Sequence, residues 1–117
     1  MKKNLHRIIM SALLTVLATV AASAQCYIVG SDNEWKTNTA VAELAETATT
    51  GVYEGDVTFV NGAQYFTVTQ HLTTGDDDWT EFNKNRFAPS VFDAMLVINE
   101  PMTMVKGRDA SWRRQEN

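Results

Sequence analysis

The stretch VYEGDVTFVNGAQYFTVT, residues 52–69, decides the fold class. Two segments rich in β-branched and aromatic residues flank Asn61-Gly62. Both central residues of a two-residue hairpin turn need positive φ, which Asn and Gly tolerate. Such a loop would pair Val60 with Ala63, Phe59 with Gln64, Thr58 with Tyr65 and Val57 with Phe66. Opposed residues share a face. Val57 and Phe66 therefore fall together, with Val68 two residues on, while Asp56, Thr58 and Thr67 fall on the other face. A one-residue slip would mix the two sets. The pattern predicts a β-hairpin closed at Asn61-Gly62.

Outward from this stretch the chain continues as short strands and turns. Cys26–Val29 is a four-residue apolar run stopped by Gly30-Ser31-Asp32-Asn33, as expected of a strand buried on both faces. Val41–Glu46 has the composition of a helix and the length of a strand. Asp78 followed by Glu81 has the spacing of a capping box, and Trp79 and Phe82 would share a helical face. A short helical turn is expected near residues 79–84. Ala94–Ile98 and Met102–Val105 read as further strands, separated by a turn at Asn99-Glu100-Pro101. Six or so short strands at regular spacing point to an all-β sandwich.

The N-terminus reads differently. Lys2, Lys3 and Arg7 form a basic flank without acids, Ile8–Val20 is a 13-residue apolar run, and Ala22-Ser23-Ala24 is an A-x-A cleavage site. These are the three parts of a secretory signal peptide. The run falls short of the roughly 20 residues that span a bilayer. Residues 1–24 are expected to be a signal helix that is cut off, and residues 25–117 the exported domain. Its compartment would be the periplasm, the outer membrane surface or the medium. Gln25 precedes Cys26 where a lipoprotein signal needs a small residue, which disfavours lipid anchoring. One cysteine cannot form an internal disulfide.

Removing the leader leaves 93 of 117 residues, one domain by size. The leader holds three of ten basic residues and none of 14 acids, so seven basic residues face 14 acids and the net charge becomes −7. That balance repels phosphate backbones and excludes nucleic acid as an expected partner. Asp76-Asp77-Asp78 lacks the ligand spacing of a calcium loop and reads as a solvated turn. His71 has no Cys, His or carboxylate at metal-ligand spacing. No Ser-His-Asp, phosphate-loop or selected carboxylate pair stands out. No catalytic residue, metal site or cofactor is expected.

Two motifs carry a resemblance. Tyr27-Ile28-Val29-Gly30-Ser31 followed by Asn33-Glu34-Trp35 resembles the opening of glycogen- and starch-binding β-sandwich modules. Asp77-Asp78-Trp79, then Phe82-Asn83 with Asn85-Arg86-Phe87, then Asp109-Ala110-Ser111-Trp112, is similar to small exported domains related to the outer-membrane starch-binding proteins of starch-utilisation systems in Gram-negative gut bacteria. The resemblance covers roughly residues 26–112. It implies an immunoglobulin-like antiparallel sandwich that binds α-glucan without cleaving it. In such modules aromatic rings stack on sugar rings and polar side chains bond the hydroxyls. By motif, Trp35, Trp112 and Trp79 are the expected platforms, with Asn33, Lys36, Asn83 and Arg86 as hydrogen-bonding groups. In a β domain of this size a tryptophan is more often core than platform, so each is carried in both readings.

This chain departs from the pattern at Glu34, where the commoner motif has glycine, and after Trp112, where related domains continue. Residues 113–117 show no strand alternation, so the expectation is a domain lacking its final strands. A sandwich missing a strand exposes an edge that invites strand addition from a partner or a second copy. The alternatives to glycan binding are therefore a structural or interaction protein of the cell envelope, or a truncated domain without a function of its own.

Overall fold

The computed structural model describes residues 5–12, 25–59, 65–97 and 99–114. Its strands are β1 (Leu5–Ala12), β2 (Gln25–Gly30), β3 (Ala42–Glu46), β4 (Val52–Thr58), β5 (Tyr65–Thr69), β6 (Arg86–Pro89), β7 (Pro101–Lys106) and β8 (Trp112–Arg113). A 3-10 turn covers Ser31–Asn33, and one short helix, α1, covers Trp79–Lys84. The protein is all-β, as expected. No helix among the described residues is long and apolar enough to cross a membrane.

The strands form one sheet in the order β2-β3-β4-β1-β7-β6-β5-β8, and a further β2–β5 pairing closes it. Seven strands thus make a closed ring, with β8 appended to β5. This is a barrel rather than the two separate facing sheets of the expected sandwich. One edge of β5 is taken by β2, from Thr69 opposite Tyr27 to Phe66 opposite Gly30. The other edge is shared end to end, Val68 and Thr69 facing β6 and Tyr65 and Phe66 facing β8.

That arrangement overturns the expected hairpin. β4 pairs with β3 and β1 and makes no ladder with β5. Val57 lies opposite His6 instead of Phe66, and Phe66 lies opposite Gly30 and Trp112. The Asn61-Gly62 turn lies outside the described residues. The face assignment survives the change of partner, since Val57, Phe66 and Val68 are all fully buried and Asp56 and Thr58 are exposed. Alternation reports which side of a strand meets the core, and it is blind to which strand lies alongside. Thr67 departs from its expected exposed face. It is buried, and its hydroxyl donates to the Phe87 carbonyl at 2.8 Å.

The N-terminal residues bring a second difference. Leu5–Ala12 is not part of a helix but a strand set between β4, antiparallel, and β7, parallel. Ile8 and Met10 point into the core and are fully buried. Arg7 points outward and pairs with Glu54 at 3.0 Å and Asp56 at 3.1 Å. The same apolar residues that would form a helix in lipid alternate well enough to fill a gap in a sheet. The rest of the apolar run and the Ala22-Ser23-Ala24 site lie outside the described residues.

Elsewhere context settles ambiguities. Of the ambiguous stretch from Val41 to Glu46, Ala42–Glu46 becomes a strand because Leu44 drops into the core between β2 and β4, overriding the helical preference of Ala and Glu. Gly51, at φ 83, completes the turn into β4, and its N–H donates to Glu46 Oε2 at 2.8 Å. Residues 94–97 form a loop, with one parallel bridge from Met95 to Arg113. Left-handed residues at Asp93 and Asn99 bend the chain on both sides of it. Leu96 is still buried. The core gathers Ile8, Met10, Ile28, Leu44, Tyr53, Val57, Phe66, Val68, Phe87 and Trp112.

Candidate functional site

The site begins at the end of β2. Gly30 is in extended backbone, and a Cβ there would lie 2.3 Å from the Tyr65 carbonyl oxygen. Only glycine lets β2 and β5 approach this closely. The chain then turns through Ser31–Asn33 into Glu34 at φ 59 and Trp35 at φ 57. Two successive left-handed side-chain-bearing residues cost roughly 1–2 kcal/mol each. The departure at Glu34 therefore keeps the turn that glycine would favour, at an energetic cost. The Trp35 N–H donates to the Gly30 carbonyl at 2.9 Å and fixes the turn.

Asn33 is spent on the same turn. Its Oδ1 accepts from the Gly30 N–H at 3.0 Å, and its Nδ2 donates to the carbonyls of Lys36 and Thr39. It organises the loop and has no free donor for a ligand. Lys36 is exposed and stands 3.8 Å from Glu34.

Thr37, fully buried, ties this loop to the one before α1. Its N–H donates to the Asp76 carbonyl at 3.0 Å, its carbonyl accepts from the Thr73 N–H at 3.0 Å, and its hydroxyl accepts from the Asp78 N–H at 3.0 Å. Asp78 in turn caps α1, accepting from the Glu81 N–H at 3.2 Å. This clasp holds Trp35 beside Trp79, with ring centroids 6.1 Å apart and planes tilted by 50°. Trp79 rests edge-on against buried Phe82, 4.8 Å between centroids.

Arg86 forms the floor. Its side chain is only 6% exposed. Nε donates to Thr67 Oγ1 at 2.9 Å, and one terminal nitrogen donates to Asn83 Oδ1 at 3.2 Å and Asp109 Oδ1 at 2.8 Å. The other donates to the Ala110 carbonyl at 2.9 Å and Ser111 Oγ at 3.3 Å. All five guanidinium donors are engaged. Burial lowers the Arg86 pKa and Asp109 partly restores it, leaving a cation. The guanidinium also lies 5.6 Å from the centroid of the Trp79 ring.

Trp35, Trp79, Asn83, Arg86, Asp109 and Ser111 line one open cleft of about 330 Å³. Four of the seven sequence-predicted residues are thus brought together. Trp112 is not among them. It is 1% exposed and stacked on Phe66, with centroids 5.6 Å apart and planes at 15°. Its ring faces are covered by core, which excludes it as a platform for a ligand. Asn33 and Lys36 do not line the cleft.

Asp109 and Ser111 line the cleft without having been expected to. They sit in the motif that contains Trp112, and the signal was alternation. Asp109 and Ser111 face out while Ala110 and Trp112 face in. Asp109 is 85% exposed, so its second oxygen is open to solvent. Asn83 gives its oxygen to Arg86 and keeps its Nδ2 donors free. The cleft therefore offers two tilted aromatic faces, an acceptor and a donor. Among the described residues no group of His, Cys, Asp and Glu is placed to hold a metal ion.

Comparison with known proteins finds no matching family model, no matching curated protein and no matching solved structure. The starch-binding resemblance therefore rests on the motif residues alone.

Proposed function

We propose that this chain is an exported, non-catalytic module that binds a carbohydrate of the α-glucan type in the Trp35–Trp79 cleft. The observation that carries the reading is the tilted tryptophan pair, 6.1 Å apart at 50°, beside Asn83 and Asp109. Aromatic faces pack against the C–H faces of pyranose rings, and a carboxylate with an amide bonds neighbouring hydroxyls. Tilted platforms suit a curved α-linked chain; a flat β-linked chain would want coplanar ones. The left-handed backbone at Trp35 supports the same reading, since strain of this kind collects at ligand-binding positions. The immunoglobulin-like sandwich belongs to this proposal as the form of the exported domain. Without residues 1–24, β4 and β7 lose their shared neighbour, and the ring is open along that side, as a two-layered sandwich is at its edges.

The test is titration with maltoheptaose followed by tryptophan fluorescence and by heat, with cellohexaose as the comparison. Saturable binding of the α-linked sugar that is lost in Trp79→Ala supports the reading. No response at millimolar sugar refutes it.

A further inference from the structure

The ring contains one strand that the exported chain would not have. β1 is the neighbour that β4 and β7 share. Its ladder occupies β4 from Val52 to Thr58 and β7 from Pro101 to Met104. Removing residues 1–24 would free both edges at once. It would also empty the seats of Ile8 and Met10, which are fully buried in the same cluster as Tyr53, Val57 and Met104. An unpaired edge on each side and a hydrophobic floor are what an incoming strand needs, since main-chain bonds supply affinity and alternate side-chain seats supply specificity.

We propose that, once the leader is removed, the channel between β4 and β7 accepts an extended segment of a partner protein. The proposal rests on the export reading above. β1 defines the chemistry of the occupant. It runs antiparallel to β4 and parallel to β7. It carries apolar side chains at two positions two residues apart, and a basic residue just before the first of them. That basic position faces Glu54 and Asp56, as Arg7 does here at 3.0 and 3.1 Å. The acids also argue against a second copy. Two β4 edges brought together would set Glu54 and Asp56 against the same acids, and like charges on paired strands repel. A cationic, alternately apolar strand is the complementary occupant.

The experiment starts from the folded full-length protein with an engineered protease site between residues 13 and 24. After cutting, a fluorescent synthetic peptide of residues 1–12 is added in excess. Saturable incorporation in place of the resident segment is the expected result. A peptide carrying Ile8→Asp and Met10→Asp competes worse by more than about a hundredfold, since each aspartate would be buried without a partner. A peptide with Arg7→Glu binds roughly fivefold more weakly, and the difference disappears in high salt. An unrelated peptide that keeps the basic–apolar–x–apolar order competes.

Failure to incorporate, equal competition by the aspartate peptide, or competition confined to the native sequence overturns the proposal. So does a cut chain that dimerises and excludes peptide. The export reading is tested separately by the intact mass of the protein recovered from the cell envelope. A mass matching residues 25–117 means that the channel is vacated. Retention of residues 1–24 means that it stays filled by β1, which overturns the proposal whatever the peptide does.

Discussion

Replacing Arg86 by methionine separates two accounts of what holds the cleft together. Methionine keeps most of the apolar stem and removes all five donors. Asn83, Asp109 and Ser111 lie toward solvent, and water can take the place of the guanidinium there. Thr67 Oγ1 and the Ala110 carbonyl are buried and each lose a hydrogen bond from a charged donor, though the Thr67 hydroxyl still donates to the Phe87 carbonyl at 2.8 Å and to the Ala110 carbonyl at 3.3 Å. A hydrogen bond to a charged group contributes about 1.5–3 kcal/mol, so losing the two together costs about 3–6 kcal/mol. That is a large share of the 5–15 kcal/mol typical of a domain. The Arg86–Asp109 ion pair is worth far less, about 0.2–1 kcal/mol, because Asp109 is 85% exposed. Urea unfolding of Arg86→Met and Asp109→Asn, followed by circular dichroism, measures both. The expected result is a large loss for the first and a small loss for the second. A loss below about 1 kcal/mol for Arg86→Met, or equal losses for the two variants, would refute the assignment of the stability to the buried acceptors.

Gly30→Ala should cost about 3 kcal/mol or more, because its Cβ would meet the backbone of Tyr65 at 2.3 Å and of Phe66 at 2.7 Å, and backbone cannot rotate away. Gly75→Ala, with nothing within 4 Å, should stay within about 0.5 kcal/mol in the same denaturation assay. Trp112→Ala should destabilise by about 3–5 kcal/mol as a core truncation, whereas Trp79→Ala should abolish sugar binding at a smaller cost to stability. Parallel melting and titration curves check this pair, and equal stability losses would count against the core assignment of Trp112. Burial, with a smaller push from Glu46, lifts the Cys26 thiol from 9.0 to about 12. The thiol thus stays protonated in the fold while the unfolded chain ionises, so its contribution is intact below pH 9 and is lost as pH rises toward 12. By pH 10 the loss is about 1.4 kcal/mol relative to neutral pH. Denaturation midpoints between pH 7 and 10 should fall more for the native chain than for Cys26→Ala, and identical slopes would contradict the shift.

Much of the cleft was legible because its parts lie in short motifs. Trp35 follows the Gly-Ser turn, and Trp79, Asn83 and Arg86 fall in one run of eight residues. Asp78 and Glu81 foretold the cap of α1 correctly. The depth of Trp112 is encoded in the alternation of residues 109–112, whereas the motif resemblance points to the same ring as a sugar platform. Thr37 offered no signal at all. Its role is to join loops whose partners, Thr73, Asp76 and Asp78, lie 36 or more residues away, and no local pattern reports such a contact.

Periodicity and turn chemistry alone determined that this is an all-β chain and that Val57, Phe66 and Val68 meet the core, because these follow from local sterics and from the period of two. They did not determine which strands lie together. Residues 52–69 have the composition and register of a hairpin, yet β4 and β5 stand apart, each with both edges taken by other strands. Two apolar strands gain as much from one well-matched neighbour as from another. The choice depends on how the whole ring closes, down to the missing Cβ of Gly30 and the strand supplied by Leu5–Ala12. Those conditions exist only once the chain is folded.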